Sequence, residues 1–462
     1  MILHKLPHSR LSILARLFGQ AIGLAGLAAA AEPLSYRHIV VKDQNGAVES
    51  LTPVSETTPP RWAREVGEQI HAWPPPREQA FFAGPVRYVL PPTDDGEVFL
   101  KHNHQPAVAG LPNGDLLAIW YSTRDEGGTE LTVLASRLRA GRDAWDPSAV
   151  FFKAEGRNMH GSALLVDDQG TLHHLNGMAP QGAKSWENLA LLHRSSRDSG
   201  VSWSPARAVN PKYQRRNQVI AGAFQTKAGA LVQACDAVPG GHGGTAIHLS
   251  HDHGRTWHDP GAGTPAPAFK AGGSGQGSIA GIHAGVVEAG DGRLLALGRG
   301  DSILDCMPVS QSADLGKTWT YSASPFPPLG SGQRLVLMRL REGPLMLVSF
   351  TCTDGRNRRT RGMEFPRADG TSFRGFGLFA AISEDGGKTW PVRKLITPGQ
   401  GDFDGGAWTG TFTATPDNAE HAGYLAATQT PDGTIHLLSS ALHYRFNLPW
   451  IKTGAPAPSP PN

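Results

Sequence analysis

Four copies of one short pattern constrain this chain more than any other feature. They read Ser196-x-Asp198-x-Gly200-x-Ser202-Trp203, Ser250-x-Asp252-x-Gly254-x-Thr256-Trp257, Ser312-x-Asp314-x-Gly316-x-Thr318-Trp319 and Ser383-x-Asp385-x-Gly387-x-Thr389-Trp390, spaced 54, 62 and 71 residues apart. Self-similarity at such a spacing specifies a repeat architecture. Within each copy the Asp can close a turn by accepting nearby backbone N–H groups, the Gly can take a positive φ, and the Trp can bury between adjoining sheets.

A second repeat interleaves with the first, of the form apolar strand, short Gly-containing turn, apolar strand. It occurs at 106–121 around Asn113-Gly114-Asp115, 161–175 around Asp168-Gln169-Gly170, 219–234 around Gly229, 284–298 around Asp291-Gly292, 335–350 around Glu342-Gly343 and 424–440 around Asp432-Gly433. Six hairpins, each followed by further strand material, predict an all-β fold, a six-bladed β-propeller, over residues 101–450. Gly 56 and Pro 36 suit tight turns between short strands better than long helices. Blade one keeps only a degenerate copy of the Trp motif, from Ser136 to Trp145. Blade six needs N-terminal strand material to close the ring, from 34–51 or 87–100 within the flanking segment 32–100; a seventh blade built there is the alternative. The stretch 436–450 is expected to finish blade six and bury Trp450, with Tyr444 and Arg445 in a turn near the axis. Residues 451–462 form a Pro-rich tail, expected to be flexible.

The first 31 residues read as an export signal, with Lys5, Arg10 and Arg16 ahead of an apolar stretch from Leu17 to Ala31 that ends in small residues. The stretch is short for a spanning helix, so no stable membrane insertion is expected once it is removed, and the destination is periplasmic or secreted. Those three basic residues account for the whole formal net charge of +3. The remaining chain is neutral, which removes the electrostatic basis for a nucleic-acid partner. Cys235, Cys306 and Cys352 allow at most one bridge and have no zinc-site spacing. No sequence feature calls for a cofactor. His102 and His104 alternate to one face of a strand and His242 and His248 share a Gly-rich segment, but neither pair forms a tight metal-ligand motif. His173-His174 point to opposite faces and read as structural.

The four Trp motifs on a six-bladed pattern resemble the sialidase (neuraminidase) superfamily, with its BNR or Asp-box repeats, from about 101 to 450. That resemblance implies an arginine triad for a substrate carboxylate, an Asp general acid, and a Tyr nucleophile polarised by a Glu. Asp125, in Thr123-Arg124-Asp125-Glu126, matches the acid; Arg299 and Arg374 match two arginines; Tyr424, opening the last hairpin, matches the nucleophile. His104 stands in place of the first arginine and His283 in place of the Glu.

Inner strands of a propeller start at the axis, so residues just before each hairpin should converge on one funnel. These are His104, His160, Arg215 or Arg216 with Asn217, His283, Arg334, and His421 with Tyr424. A phenol attacks only if a neighbour takes its proton, and neutral imidazole at His283 can do so. With one arginine lost, sialic acid itself is in question, while Arg299 and Arg374 keep an anionic glycan as the expected partner. His104, His160, Arg299 and Arg334 complete the expected binding set. The same histidines and Tyr424 also permit a uronate lyase, and the funnel alone permits a non-catalytic carbohydrate-binding propeller. Oligomeric state is not legible in the sequence.

Overall fold

Short apolar runs such as Leu116–Thr123 and Leu345–Phe350, buried throughout, fold as the central strands of small antiparallel sheets. The computed structural model describes residues 37–44, 47–53, 59–67, 73–93, 98–237, 243–264, 272–351 and 362–454. The residues read as an export signal, Cys352, the arginines between 356 and 361, His242 and the tail from 455 lie outside them. Cys235 and Cys306 are free thiols.

Among the described residues, six blades follow in chain order. Blade one comprises His102–Gly110, Leu116–Thr123, Thr132–Leu138 and Ala149–Ala154. Blade two comprises Ser162–Val166, Leu172–Met178, Leu189–Ser196 and Arg207–Gln214. Blade three is built on Leu231–Asp236 and Thr245–Ser250, its inner strand broken into Gln218–Val219 and Phe224–Gln225. Blade four runs from Ile282–Glu288 through Leu294–Arg299 and Pro308–Ser312 to Thr318–Ala323, with Gly273–Gln276 as a fifth strand. Blade five holds Val336–Arg339, Leu345–Phe350, Leu378–Ser383 and Val392–Leu395. Blade six holds Ala426–Gln429, Ile435–Leu438 and Leu442–Phe446.

The N-terminal strands settle at the periphery rather than forming a seventh blade. Phe82–Arg87 pairs antiparallel with Leu442–Phe446 and closes the ring. The sequence pointed to 34–51 or 87–100, because Gly84-Pro85 interrupts the alternation that would mark 82–87 as a strand. The register slips between Ala83 and Val86, so the Pro sits in a bulge on an edge strand, where its missing N–H does no harm. Arg37–Gln44 and Ala47–Pro53 instead form a hairpin wedged between the outer edges of blades one and two. Tyr444 and Arg445 lie within a strand, not a turn; a short helix, Leu448–Lys452, follows, and Trp450 stacks on Phe82 at 4.5 Å.

Each Trp motif is a turn held by its own side chains. The Ser Oγ accepts from the Gly N–H at 2.8–2.9 Å, and the Asp Oδ1 accepts the N–H of the following Ser or Thr at 2.8–2.9 Å. The turn rests on the preceding blade. A Cβ at Gly316 would lie 2.4 Å from Ile247 of blade three, and one at Gly387 would lie 2.4 Å from Leu295 of blade four. Trp203 meets Phe151 of blade one edge-on at 5.3 Å. Even in the degenerate copy, Trp145 donates to His443 Nδ1 of blade six at 3.1 Å.

The inner strands are irregular at one rim. In blade one the register slips between His104 and Ala107, where Gln105 has φ 57°; in blade four it slips between Ile282 and Gly285, where His283 has φ 49°. Gln333–Arg334 pairs in parallel with Gly423–Tyr424, setting Arg334 opposite Tyr424. Bulges of this kind re-aim side chains. Away from that rim, a channel of about 730 Å³ is lined by all six blades through Val108, Leu165, Ala223, Val286, Leu337 and Ala427.

The contact between each Trp-motif turn and its neighbouring blade is testable. Gly316 (φ 88°) and Gly229 (φ 89°) share a backbone conformation, but a Cβ at Gly229 meets open space. Gly316→Ala should cost about 2–4 kcal/mol by denaturant unfolding and Gly229→Ala about 1 kcal/mol. Equal costs would mean that the turn does not bear on the adjacent blade.

Candidate active site

The second strand of each blade returns to the rim where the first begins, so strand starts and strand ends meet there. Tyr424 starts blade six, His283 starts blade four, Arg299 ends the second strand of blade four, and Asp236 ends the corresponding strand of blade three. The Tyr424 hydroxyl lies 2.8 Å from His283 Nε2 and accepts from Arg299 Nη1 at 3.0 Å. His283 Nδ1 lies 2.7 Å from Asp236 Oδ2, an ion-pair contact that is out of line for a hydrogen bond, and the His283 backbone N–H donates to Asp236 Oδ1 at 2.7 Å. Asp236 therefore fixes both the ring and the strained backbone of His283. With Nδ1 protonated toward the carboxylate, Nε2 is left to accept the Tyr424 proton, a relay logically akin to the Ser-His-Asp triad.

The electrostatics agree with that proton placement. Burial lowers the His283 pKa below the ordinary histidine value, the Asp236 carboxylate opposing it only in part, so the ring is neutral near pH 7. Burial alone would raise Asp236, but the charge of His283 and its hydrogen bonds together hold it low. Burial raises the Tyr424 phenol, with Arg299 pulling the other way, so Tyr424 rests protonated.

His104 lies against Tyr424, ring centroids 3.9 Å apart, with Nδ1 3.2 Å from Ser440 Oγ. His102, Tyr121, His160 and Trp186 extend this floor in successive ring contacts of 5.2–6.0 Å. Gln105 Nε2 and His160 Nε2 are 3.2 Å apart. Glu126 accepts from Tyr121 at 2.8 Å and faces His102 at 3.3 Å. Burial would raise its pKa, but the His102 hydrogen bond, the charge of His160 and the Tyr121 hydrogen bond hold it at about 2. Beside the His102 and Trp186 end of this floor opens a cavity of about 630 Å³, lined also by Asp125, Glu126 and the half-exposed Trp408.

Of the residues expected from sequence, His104, His160, His283, Arg299, Arg334 and Tyr424 come together. Arg334 lies beneath the Tyr424 ring, almost wholly buried, and its Nε and Nη2 donate to the carbonyls of Leu425 and Pro106 at 3.0 and 2.6 Å, so those two groups serve the backbone. Asp125 stays at the rim, exposed, with Oδ1 accepting from the Gly127 N–H at 2.8 Å. Arg374 stands on a separate hairpin of Met363–Pro366 and Ser372–Gly375, more than half exposed, and its partner is Glu364 at 3.6 Å rather than a residue of the cup. Arg216 is committed to Asp259 and Gly277. Asp236, Tyr121, Glu126, Gln105 and the two tryptophans were not singled out in the sequence. Asp236 was within reach, because it ends its strand at the same rim as Arg299.

Residues 114–437 match the family model described as BNR repeat-like domain. No curated protein matches the sequence. Among solved structures, a protein of unknown function from Dyadobacter fermentans is 15% identical, with TM-score 0.50 over 80% of this chain and 100% of that one. The NanB sialidase of Streptococcus pneumoniae is 13% identical, TM-score 0.50, over 78% and 70%. An intramolecular trans-sialidase from Ruminococcus gnavus, solved with oseltamivir carboxylate, is 14% identical, TM-score 0.51, over 78% and 97%. At these identities the likeness is one of fold.

The buried histidines make stability pH-dependent. His160 and His436 are lowered to about 4 and His193 to about 3, each chiefly by burial, whereas unfolded histidines bind protons near 6.5. Their contribution is complete above pH 6.5 and is lost as pH falls toward 4, by about 1 kcal/mol per pH unit for each group. Glu420, raised to about 7 by burial, acts in the opposite sense between about 4.5 and 7, one group against three. Thermal melts should show Tm falling steadily from pH 6.5 to 4; a flat profile would contradict neutral burial of these rings.

Proposed function

This chain belongs to the BNR repeat-like domain family, and we propose that it is an exported, sialidase-like glycoside hydrolase acting on an anionic sugar of the sialic or uronic acid type. The observation that carries the reading is the Tyr424 hydroxyl held between His283 and Arg299, with Asp236 behind His283. Tyrosine is the nucleophile that sets sialidases apart from most glycosidases.

In the proposed reaction the Tyr424 oxygen attacks the anomeric carbon as its proton passes to His283 Nε2. The bond to the leaving oxygen breaks, and that oxygen takes a proton from Asp125, the carboxyl group lining the open cavity. Water then attacks the tyrosyl-linked sugar, returning a proton to Asp125, while His283 reprotonates Tyr424. Glu126 is a poor acid for this step, because it is held ionised. Arg299 supplies the cation for the sugar's acidic group. Asp236 is a positioning residue, acting through the tautomer and orientation of His283.

The same arrangement supports a second reading, a uronate lyase, which the neutral rings of His104 beside Tyr424 and His160 beside Tyr121 favour. Turnover of sialosides, glucuronides and uronate polysaccharides separates the two. The hydrolase releases a reducing sugar; a lyase releases an unsaturated product absorbing in the near ultraviolet; binding without either product marks a carbohydrate-binding propeller. Tyr424→Phe and His283→Ala should lower kcat by about 10²–10⁴-fold or more. Wild-type activity should lose its acidic limb below pH 6.5, since the base must be neutral and its pKa is depressed. Asp236→Asn should lower kcat by a similar factor, chiefly through kcat rather than KM, and move that limb lower still. Wild-type rates in all three variants would remove Tyr424 from the chemistry.

A further inference from the structure

Three adjoining side chains on the floor of the cup carry buried polar atoms without a hydrogen-bond partner: His104 Nε2, Gln105 Oε1 and His160 Nδ1. Their residues are at most 3% exposed. An unsatisfied buried polar atom is costly, and three on neighbouring side chains, with His104 against the Tyr424 ring and His160 against Tyr121, call for a reason. The backbone adds to the cost, since Gln105 is held at φ 57° by the bulge before Pro106.

The partners on the opposite side of each group fix what is left over. Ser440 Oγ accepts the Tyr424 N–H at 3.3 Å, and in the tautomer we assign it gives its own proton to His104 Nδ1, leaving Nε2–H as a donor. The Gln105 amide donates to His160 Nε2, leaving Gln105 Oε1 as an acceptor and His160 Nδ1–H as a second donor, out of line with the Glu126 backbone carbonyl that lies beside the ring. Two donors and one acceptor match sugar hydroxyls, which both give and receive hydrogen bonds. A carboxylate fits this position poorly. Arg334 gives Nε and Nη2 to carbonyls, Arg299 stands at the Tyr424 hydroxyl, and the ionised Glu126 lies near His160.

We propose that His104, Gln105 and His160 form an uncharged subsite beside Tyr424 that reads ring hydroxyls of the bound sugar, separate from the place where Arg299 meets its acidic group. This rests on the reading of the cup as a site for an anionic sugar and names what its other wall recognises. It makes hydroxyl pattern, as well as charge, a determinant of specificity.

The test uses methyl glycosides of glucuronate and N-acetylneuraminate as probes, together with their monodeoxy and carboxyl-reduced analogues. Binding is measured calorimetrically to Tyr424→Phe and to the double variant Tyr424→Phe/Gln105→Met. Removing one ring hydroxyl should weaken binding to Tyr424→Phe by roughly tenfold to a hundredfold, and by less than threefold once Gln105 is Met. Reducing the carboxyl should weaken both proteins alike. Nitrogen-15 spectra of the wild-type histidines, independent of any variant's folding, should show His104 protonated at Nε2 and His160 at Nδ1, both neutral at pH 7. Binding that ignores every deoxygenation, or no binding of either glycoside at millimolar concentration, overturns the subsite, as does a charged ring at either histidine. Deoxy discrimination in a protein without turnover of any sugar would leave the subsite standing and remove the hydrolase reading instead.

Discussion

The arrangement of this molecule depends on the contact between each Asp-box turn and the blade before it. A propeller sheet hydrogen-bonds within itself, so neighbouring blades are held mainly by side chains, and their relative rotation is set by whatever packs in the wedge between them. Here the wedge is filled by a rigid turn whose glycine approaches the preceding sheet too closely for a Cβ, as at Gly316 against Ile247 and Gly387 against Leu295. Trp203 and the degenerate Trp145 reach across in the same direction. Blade six, which has no such motif, is tied instead by the N-terminal strand Phe82–Arg87 and by Trp145 from blade one.

That rigidity permits the opposite behaviour at the rim. Gln105 and His283 hold positive φ values, and the inner strands of blades one and four lose register at those residues. Strain of this sort persists only where the surroundings over-determine it. For His283 the determinant is visible: Asp236 binds its backbone N–H with one oxygen and faces its ring with the other.

Repetition made the fold legible, because six hairpins and four Asp boxes report the blade count without reference to any single contact. The closing strand was hidden by Gly84-Pro85, a local break that an edge strand tolerates and an alternation rule does not. At the cup, residues at inner-strand starts were legible because the architecture alone sends them to the axis; His104, His160, His283, Arg334 and Tyr424 all arrive there. Sequence position could not show that Arg334 would turn to backbone carbonyls, or that Arg374 would ride outward on an extra hairpin between blade strands. Asp236 stood at a strand end, where only the already chosen Arg299 was sought.

The relay at Tyr424 shows why a histidine can occupy that position without unbalancing the site. A carboxylate touching the phenol directly would have to lie at the floor of the cup, exposed to the same space as an anionic ligand. Interposing His283 moves the negative charge back to Asp236, buried on blade three, and leaves a neutral ring at the surface of the cup. Proton transfer from Tyr424 to His283 would then create an imidazolium directly against a carboxylate 2.7 Å away, so the developing charge is compensated where it forms. Because Asp236, His283 with Arg299, and Tyr424 belong to blades three, four and six, this compensation holds only while three sheets keep their mutual rotation. The chemistry proposed at the axis therefore depends on the contacts at the periphery, the glycine turns of blades four and five and the closing strand and Trp145 at blade six.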